Sequence, residues 1–186
     1  YIHQYIQRLV EQKVDSVVSV AQIDEYYNKF GDEFRLDYPI VQAWVIKVPI
    51  SLTSPADLMK LLTVDSDEAL GDLKEFSFQT ARHYNFDSGW RPLHNVLAEC
   101  YLTSQSINSE NLAKGKIFQF SGTETDSYIK ILDFLRTGEK APLVFVYNRI
   151  KDIVIQKRKE QFINRLENDL LQNAQTNQKA IINSEK

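Results

Sequence analysis

Cysteine is almost missing from this chain: Cys100 is the one thiol in 186 residues. That excludes a disulfide within the chain and any zinc site built from paired cysteines. The histidines His3, His83 and His94 have no short metal-ligand spacing, so neither a metal nor a cofactor is expected. The six glycines stand as isolated breakers, not as a loop that could cradle phosphate. No apolar run reaches the ~18–20 residues of a membrane span. Basic excess is missing too: 22 Lys and Arg against 25 Asp and Glu leave a net charge of −3, so nucleic acid is not an expected partner. Acidic pairs such as Asp65/Asp67/Glu68 sit at expected helix ends, where a dipole interaction accounts for them. Cys100 has no His or basic neighbour in sequence to lower its thiol pKa. No catalytic residue is assigned.

What is present is an ordinary globular balance, 43% hydrophobic and 25% charged, enough for one large domain or two small ones. The most informative stretch is the last third. Pro142 can begin a helix, since the first helical N–H has no partner to lose. Behind it Val146, Ile150, Ile153, Val154, Ile163, Leu166, Leu170 and Ala174 recur at helical spacing, predicting an amphipathic helix of about 30 residues. A polar stretch from Gln172 to Gln178 follows. Such a stripe has to be covered, by this chain or by another molecule. The chain also opens without methionine inside an apparent helix, with Ile2, Tyr5, Ile6, Leu9 and Val10 on one face, and a longer precursor is expected.

Between these ends the period changes. Ser19-Val20-Ala21-Gln22 fits a capping box before a short helix faced by Ile23, Tyr26, Tyr27 and Phe30, with Gly31 as its stop. Ile40 to Val48 predicts a central strand halted by Pro49. Ser54-Pro55 predicts a helix start, and a second helix is expected over 67–84, with Leu70, Leu73, Phe76, Phe78, Ala81 and Tyr84 as core. Asp87-Ser88-Gly89 is a turn, and 93–102 a short helix or extended segment. Residues 116–120 and 127–135 bracket a turn-rich loop and read as a hairpin, although 127–135 also fits a helix. Irregular alternation of strand and helix favours an α+β class. Two Trp, nine Tyr and ten Phe mostly build core; any exposed along a groove would suit extended polypeptide. Trp44, Trp90, Tyr26 and Tyr27 are the peptide-binding candidates, with packing the competing reading of the tyrosine pair.

The order of these segments resembles the SurA-type periplasmic chaperones and peptidyl-prolyl isomerases of Gram-negative bacteria, especially a divergent, often lipid-anchored branch. Gly138-Glu139-Lys140-Ala141-Pro142-Leu143, then Ile150 and Ile153 to Lys159, is similar to the family's closing helix, which returns from a parvulin-like domain. Val18 to Tyr27 is similar to the helix leading into that domain, and Phe34-Arg35-Leu36 with Ile40 to Val48 resembles its first strand. The resemblance covers nearly the whole chain. It implies a split helical chaperone module, residues 1–33 and 138–186, interrupted by a degenerate parvulin-like α+β domain over 34–137.

By the same resemblance the function is that of a periplasmic holdase for unfolded outer-membrane or secreted polypeptides. A tether to the membrane would lie upstream of Tyr1, and the oligomeric state is open. Where active parvulins carry a Gly-Gly-Asp-Leu-Gly-like turn and two strand histidines, this chain has only Asp87-Ser88-Gly89-Trp90, and no His in 46–48 or 127–135. The resemblance therefore implies an inactive, binding-only domain. An active prolyl isomerase and a dimerising helical assembly module are the alternatives.

Overall fold

The computed structural model describes residues 1–51 and 54–185. Lys186, the last residue assigned to the C-terminal segment, lies outside them, as do Leu52 and Thr53 in the middle segment. The architecture is α+β, and the chain forms two compact units: Tyr1–Gly31 with Pro142–Lys186, and Asp32–Ala141.

The first unit is helical. Helix α1 (Ile2–Lys13) and α2 (Val20–Phe30) both pack on α6 (Leu143–Ser184). The capping box at the start of α2 forms as expected: the Ser19 hydroxyl accepts from the Gln22 N–H, and Gln22 Oε1 accepts from the Ser19 N–H at 3.0 Å. Val10, Ile23, Val146 and Ile150 are the buried side chains among the described residues of this unit. Arg158 on α6 holds the α1–α2 connection, donating to the Asp15 and Val17 carbonyls at 2.9 and 2.7 Å and to Gln22 Oε1 at 3.0 Å.

The second unit is built on β1 (Ile40–Pro49). After it come α3 (Pro55–Thr63), α4 (Asp67–Thr80), β2 (His83–Asn85), β3 (Arg91–Pro92), α5 (Leu93–Glu99), β4 (Ile117–Ser121) and β5 (Thr125–Leu135). The sheet is antiparallel in the order β2-β1-β5-β4, with β3 also pairing with β1. Strand pleating sends alternate residues to opposite faces. Val41, Ala43, Val45, Ile129 and Ile131 pack with Leu93, Val96 and Leu97 of α5, while Trp44, Ile46, Val48 and Tyr128 pack with Leu58, Leu62 and Leu73 of α3 and α4. The register shifts between Gln42 and Ala43, where Leu132 is the extra residue of β5; this bulge turns Phe134 toward the α5 face. At the tip of the β4–β5 hairpin a Cβ on Gly122 would come within 2.5 Å of the Thr125 carbonyl oxygen, so glycine is required there. The segments at either end of the unit run antiparallel: Leu36 donates to the Glu139 carbonyl, and Gly138, at φ +87°, donates to that of Leu36.

Several expectations need correction. The hairpin expected from 116–120 and 127–135 forms, with 127–135 as strand paired to both β4 and β1, but its loop is shorter than expected because β5 already begins at Thr125. The helix expected over 67–84 ends at Thr80, because Ala81 turns extended and 83–85 join the sheet. Phe78 and Tyr84 are consequently exposed instead of core, and the buried face of α4 is Ala69, Leu73 and Ser77. Ser54 precedes α3, with Pro55 in its first turn, but its side chain makes no cap bond. Gly31 ends α2 in right-handed geometry and continues into a 3-10 turn over Gly31–Glu33. Strand β1 includes Pro49 as its last residue. Helix α6 begins one residue after Pro142 and runs 42 residues, about 63 Å, because the Gln/Asn stretch is helical as well. Leu170 and Ala174 of its stripe are exposed.

Candidate functional site

Helix α5 ends in a way that decides what the neighbouring surface looks like. The Leu102 N–H donates to the Leu97 carbonyl at 2.9 Å and the Tyr101 N–H to that of Ala98 at 3.0 Å. These two bonds are a Schellman cap, which places the residue after the C-cap in left-handed backbone, a position usually given to glycine. Here it is tyrosine, at φ +56°, the one non-glycine with positive φ among the described residues. Leu102 closes the cap by packing on the core that contains Leu97. The Tyr101 side chain is thrown outward, 87% exposed, and Lys47 Nζ lies 4.0 Å from its ring centroid.

Beside this ring is a cleft of about 780 Å³. Lys47 of β1, the end of α5 from Ala98 to Leu102, the hairpin from Phe120 to Thr125, Ser127, Arg82 and His83 line it. Its wall thus combines apolar surface from Leu102, Tyr101 and Phe120 with hydroxyls and strand-end backbone. One side is stiffened by a charge cluster around Glu99. That carboxylate accepts from Arg91, from His83 Nε2 at 3.0 Å and from Asn85 Nδ2 at 3.3 Å, while Arg91 also donates to the Ala43 carbonyl at 2.8 Å. These bonds tie β2, β3 and α5 to the central strand, so the cleft wall is set on a rigid support.

Cys100 is buried, and burial raises its thiol pKa above the usual 9.0; a hydrogen bond with Ser127 opposes this in part, Glu99 raises the pKa by less than that bond lowers it, and Lys47 lowers it least. A thiol held protonated is a poor nucleophile. Glu99 is committed to Arg91, His83 and Asn85. Among the described residues no group of three or more His, Cys, Asp or Glu is arranged to hold a metal, and no helix is long and apolar enough to cross a membrane.

The four aromatic candidates do not gather at this cleft. Trp44 is buried on the α3–α4 face of the sheet, edge-on to Phe86 at 6.0 Å, with Lys130 Nζ 5.1 Å from its ring. Alternation along β1 puts it there, and as a surface for a peptide it is corrected to a core residue. Trp90 is half-buried just before β3. Tyr26 and Tyr27, half-buried, belong to the helical unit, where the Tyr26 ring lies 4.8 Å from Phe30 and Lys157 stands over both rings. A cavity of about 260 Å³ between α2 and α6 is lined by Tyr26 but not by Tyr27. Sequence reading missed Tyr101 and Lys47. The available signal was Leu97 and Leu102 five apart just before a polar break at Thr103-Ser104, which is the hydrophobic spacing of a Schellman cap.

No family model matches the chain, and no curated protein matches it. Three chains of solved structures match. One comes from the structural description of PEB4 and Cj1289 of Campylobacter jejuni as two structurally related SurA-like chaperones; it is 15% identical, with a TM-score of 0.38, over 92% of this chain and 67% of that chain. The likeness is loose.

Proposed function

We propose that this chain is the binding portion of a periplasmic holdase of SurA type, which keeps unfolded outer-membrane or secreted polypeptides from aggregating. The observation that carries the reading is the cleft beside Tyr101: large enough for several side chains, mixed apolar and hydrogen-bonding, and with its one thiol buried and protonated. Such a wall suits an extended chain of varied sequence, since strand-end backbone and hydroxyls meet main-chain groups and the apolar floor meets side chains. The ordered resemblance of the segments supports the same reading, as does the lack of parvulin-type histidines in β1 and β5. Lowering the ~18–20 kcal/mol barrier to peptide-bond rotation needs groups that favour the twisted transition state over the ground state, and a binding-only wall does not supply them.

The test is suppression of aggregation when an unfolded porin is diluted from denaturant into buffer containing the full chain. Concentration-dependent suppression is expected; no effect at molar excess would sink the reading. In a proline-peptide isomerisation assay the rate should equal the uncatalysed background, and a clear acceleration would favour the isomerase instead.

One observation favours a second reading, a helical assembly module. Leu170, Leu171, Ile181 and Ile182 are all exposed on the distal part of α6. The two pairs are eleven residues apart, three turns of a straight helix, so they share one face. Sedimentation at rising concentration separates the readings: a monomer throughout leaves the holdase alone.

A further inference from the structure

We propose that Tyr101 is the residue that grips the bound polypeptide, its ring being the part of the cleft wall against which an apolar side chain of the client is stacked. The inference rests on the reading of the cleft as a polypeptide site and adds the residue that decides its affinity.

Three independent features of one side chain point there. The first is backbone strain. The Schellman cap needs left-handed geometry that suits glycine and disfavours a bulky β-substituted residue, yet the chain carries Tyr101 at φ +56°. Residues held in such regions cluster at ligand clamps, because the rest of the structure has to hold them there. The second is exposure. A large aromatic ring 87% open to solvent contributes almost nothing to the core, so core packing does not explain the residue. The third is a supporting cation. Lys47 Nζ lies 4.0 Å from the ring centroid and makes no ion pair among the described residues, which leaves its charge free to attract the ring's π face. With one face of the ring on Lys47, the other is free to meet a ligand in the cleft that Leu102 and Phe120 also line. A rigid aromatic of this kind gives large contact area with little side-chain entropy to lose.

The three features separate a gripping role from a structural one by sign. If the ring served the fold, removing it would lower stability. If it serves the ligand, replacing it with glycine relieves the backbone and removes the grip. The experiment uses the full chain in four forms: unsubstituted, Tyr101→Gly, Tyr101→Phe and Lys47→Met. The probe is a fluorescein-labelled unstructured peptide of about ten residues with a central Phe, read by anisotropy, with melting followed by circular dichroism. Tyr101→Gly should melt at the same or a higher temperature and bind about 30-fold more weakly, the loss expected of a binding hot spot. Tyr101→Phe should bind like the unsubstituted chain, and Lys47→Met about threefold more weakly. Unchanged affinity in Tyr101→Gly overturns the proposal while leaving the cleft as a binding site. A fall in its melting temperature of more than about 4 °C makes the ring a part of the fold and also overturns it. An unsubstituted chain that binds no peptide removes the reading of the cleft itself, and the role of Tyr101 with it.

Discussion

In the sheet unit β1 and β5 bury Ile40, Val41, Val45, Ile46, Ile129 and Ile131 completely, with helices on both faces. Among the described residues of the helical unit only Ile23 and Ile150 are buried to that degree, Val10 and Val146 less so, and much of the holding is polar: the Arg158 clamp and the Ser19–Gln22 box. The two units thus draw stability from different sources. Burial of apolar side chains gives ~1.5–3 kcal/mol each, and hydrogen bonds a net ~0.5–1.5 kcal/mol. The sheet unit can therefore carry strain at Tyr101 and a water-facing cleft on a firm core. The helical unit has little margin, and single polar contacts there matter in proportion.

The sharpest way to break this contrast is a truncation at the centre of the sheet. Ile129 lies on β5 opposite Val45, fully buried against the α5 face. Ile129→Ala removes buried methyl groups and leaves a cavity between two strands that cannot close on it, for a loss of about 2–5 kcal/mol in urea unfolding. A loss below about 1 kcal/mol would mean that the sheet core is not what holds this unit.

In the helical unit the corresponding test is Arg158→Ala. It deletes three hydrogen bonds from a guanidinium, two to carbonyls between α1 and α2 and one to the Gln22 side-chain amide in the first turn of α2. Because these bonds are exposed, their loss should amount to about 1–2 kcal/mol, less than the core truncation. Amide exchange in α1 should accelerate while β1 and β5 keep their protection. Uniform acceleration in both units would erase the distinction.

The period change from helix to strand near residue 34, the central place of β1 and the Ser19 box could all be read from residues, because each depends on local chemistry or on a regular pattern. The helix expected over 67–84 extends too far for a physical reason: Ala81 and Tyr84 keep the helical spacing of Leu70 and Leu73, and only pairing with Lys47 and Ile46 decides that His83 and Tyr84 are strand. Trp44 was legible as core from its alternation with Ala43 and Val45, but aromatic chemistry drew it into the binding set. The cleft itself was hidden. Lys47, Tyr101 and the hairpin tip are far apart in sequence, and a tyrosine at a left-handed cap carries none of glycine's signal.

A smaller effect is expected from the buried charge of the sheet unit. Lys130 is 2% exposed, its Nζ bonded at 2.6 Å to Asp65, whose side chain is 78% exposed. Taking an ammonium out of water offsets most of what the pair returns, and a solvated Asp65 tolerates losing its partner. Lys130→Met keeps the volume and removes the charge, so stability should stay within about 1 kcal/mol of the starting protein or rise. A drop beyond about 3 kcal/mol would place Lys130 among the essential contacts and make the sheet unit as dependent on polar clamps as the helical one.

The smallest effect is one of alkaline pH, confined to the sheet unit. Burial raises the Cys100 thiol above its ordinary 9.0, and likewise the Tyr128 hydroxyl above 10.0, the latter helped by Asp126. A group whose folded pKa exceeds its unfolded one holds its proton more tightly when folded. Its contribution is complete below the unfolded pKa and declines as pH rises through the folded value. Unfolding free energy should therefore fall from about pH 9 upward, with a slope from the thiol of at most about 1.4 kcal/mol per pH unit. In Cys100→Ala the first part of that slope should vanish and the later part, from Tyr128, remain. The same burial predicts that thiol reagents modify the native chain slowly at pH 8 and rapidly once it is unfolded. An identical alkaline slope in Cys100→Ala, or fast modification of the native chain, would show Cys100 open to the cleft, and the wall beside Tyr101 would then carry a reactive thiol.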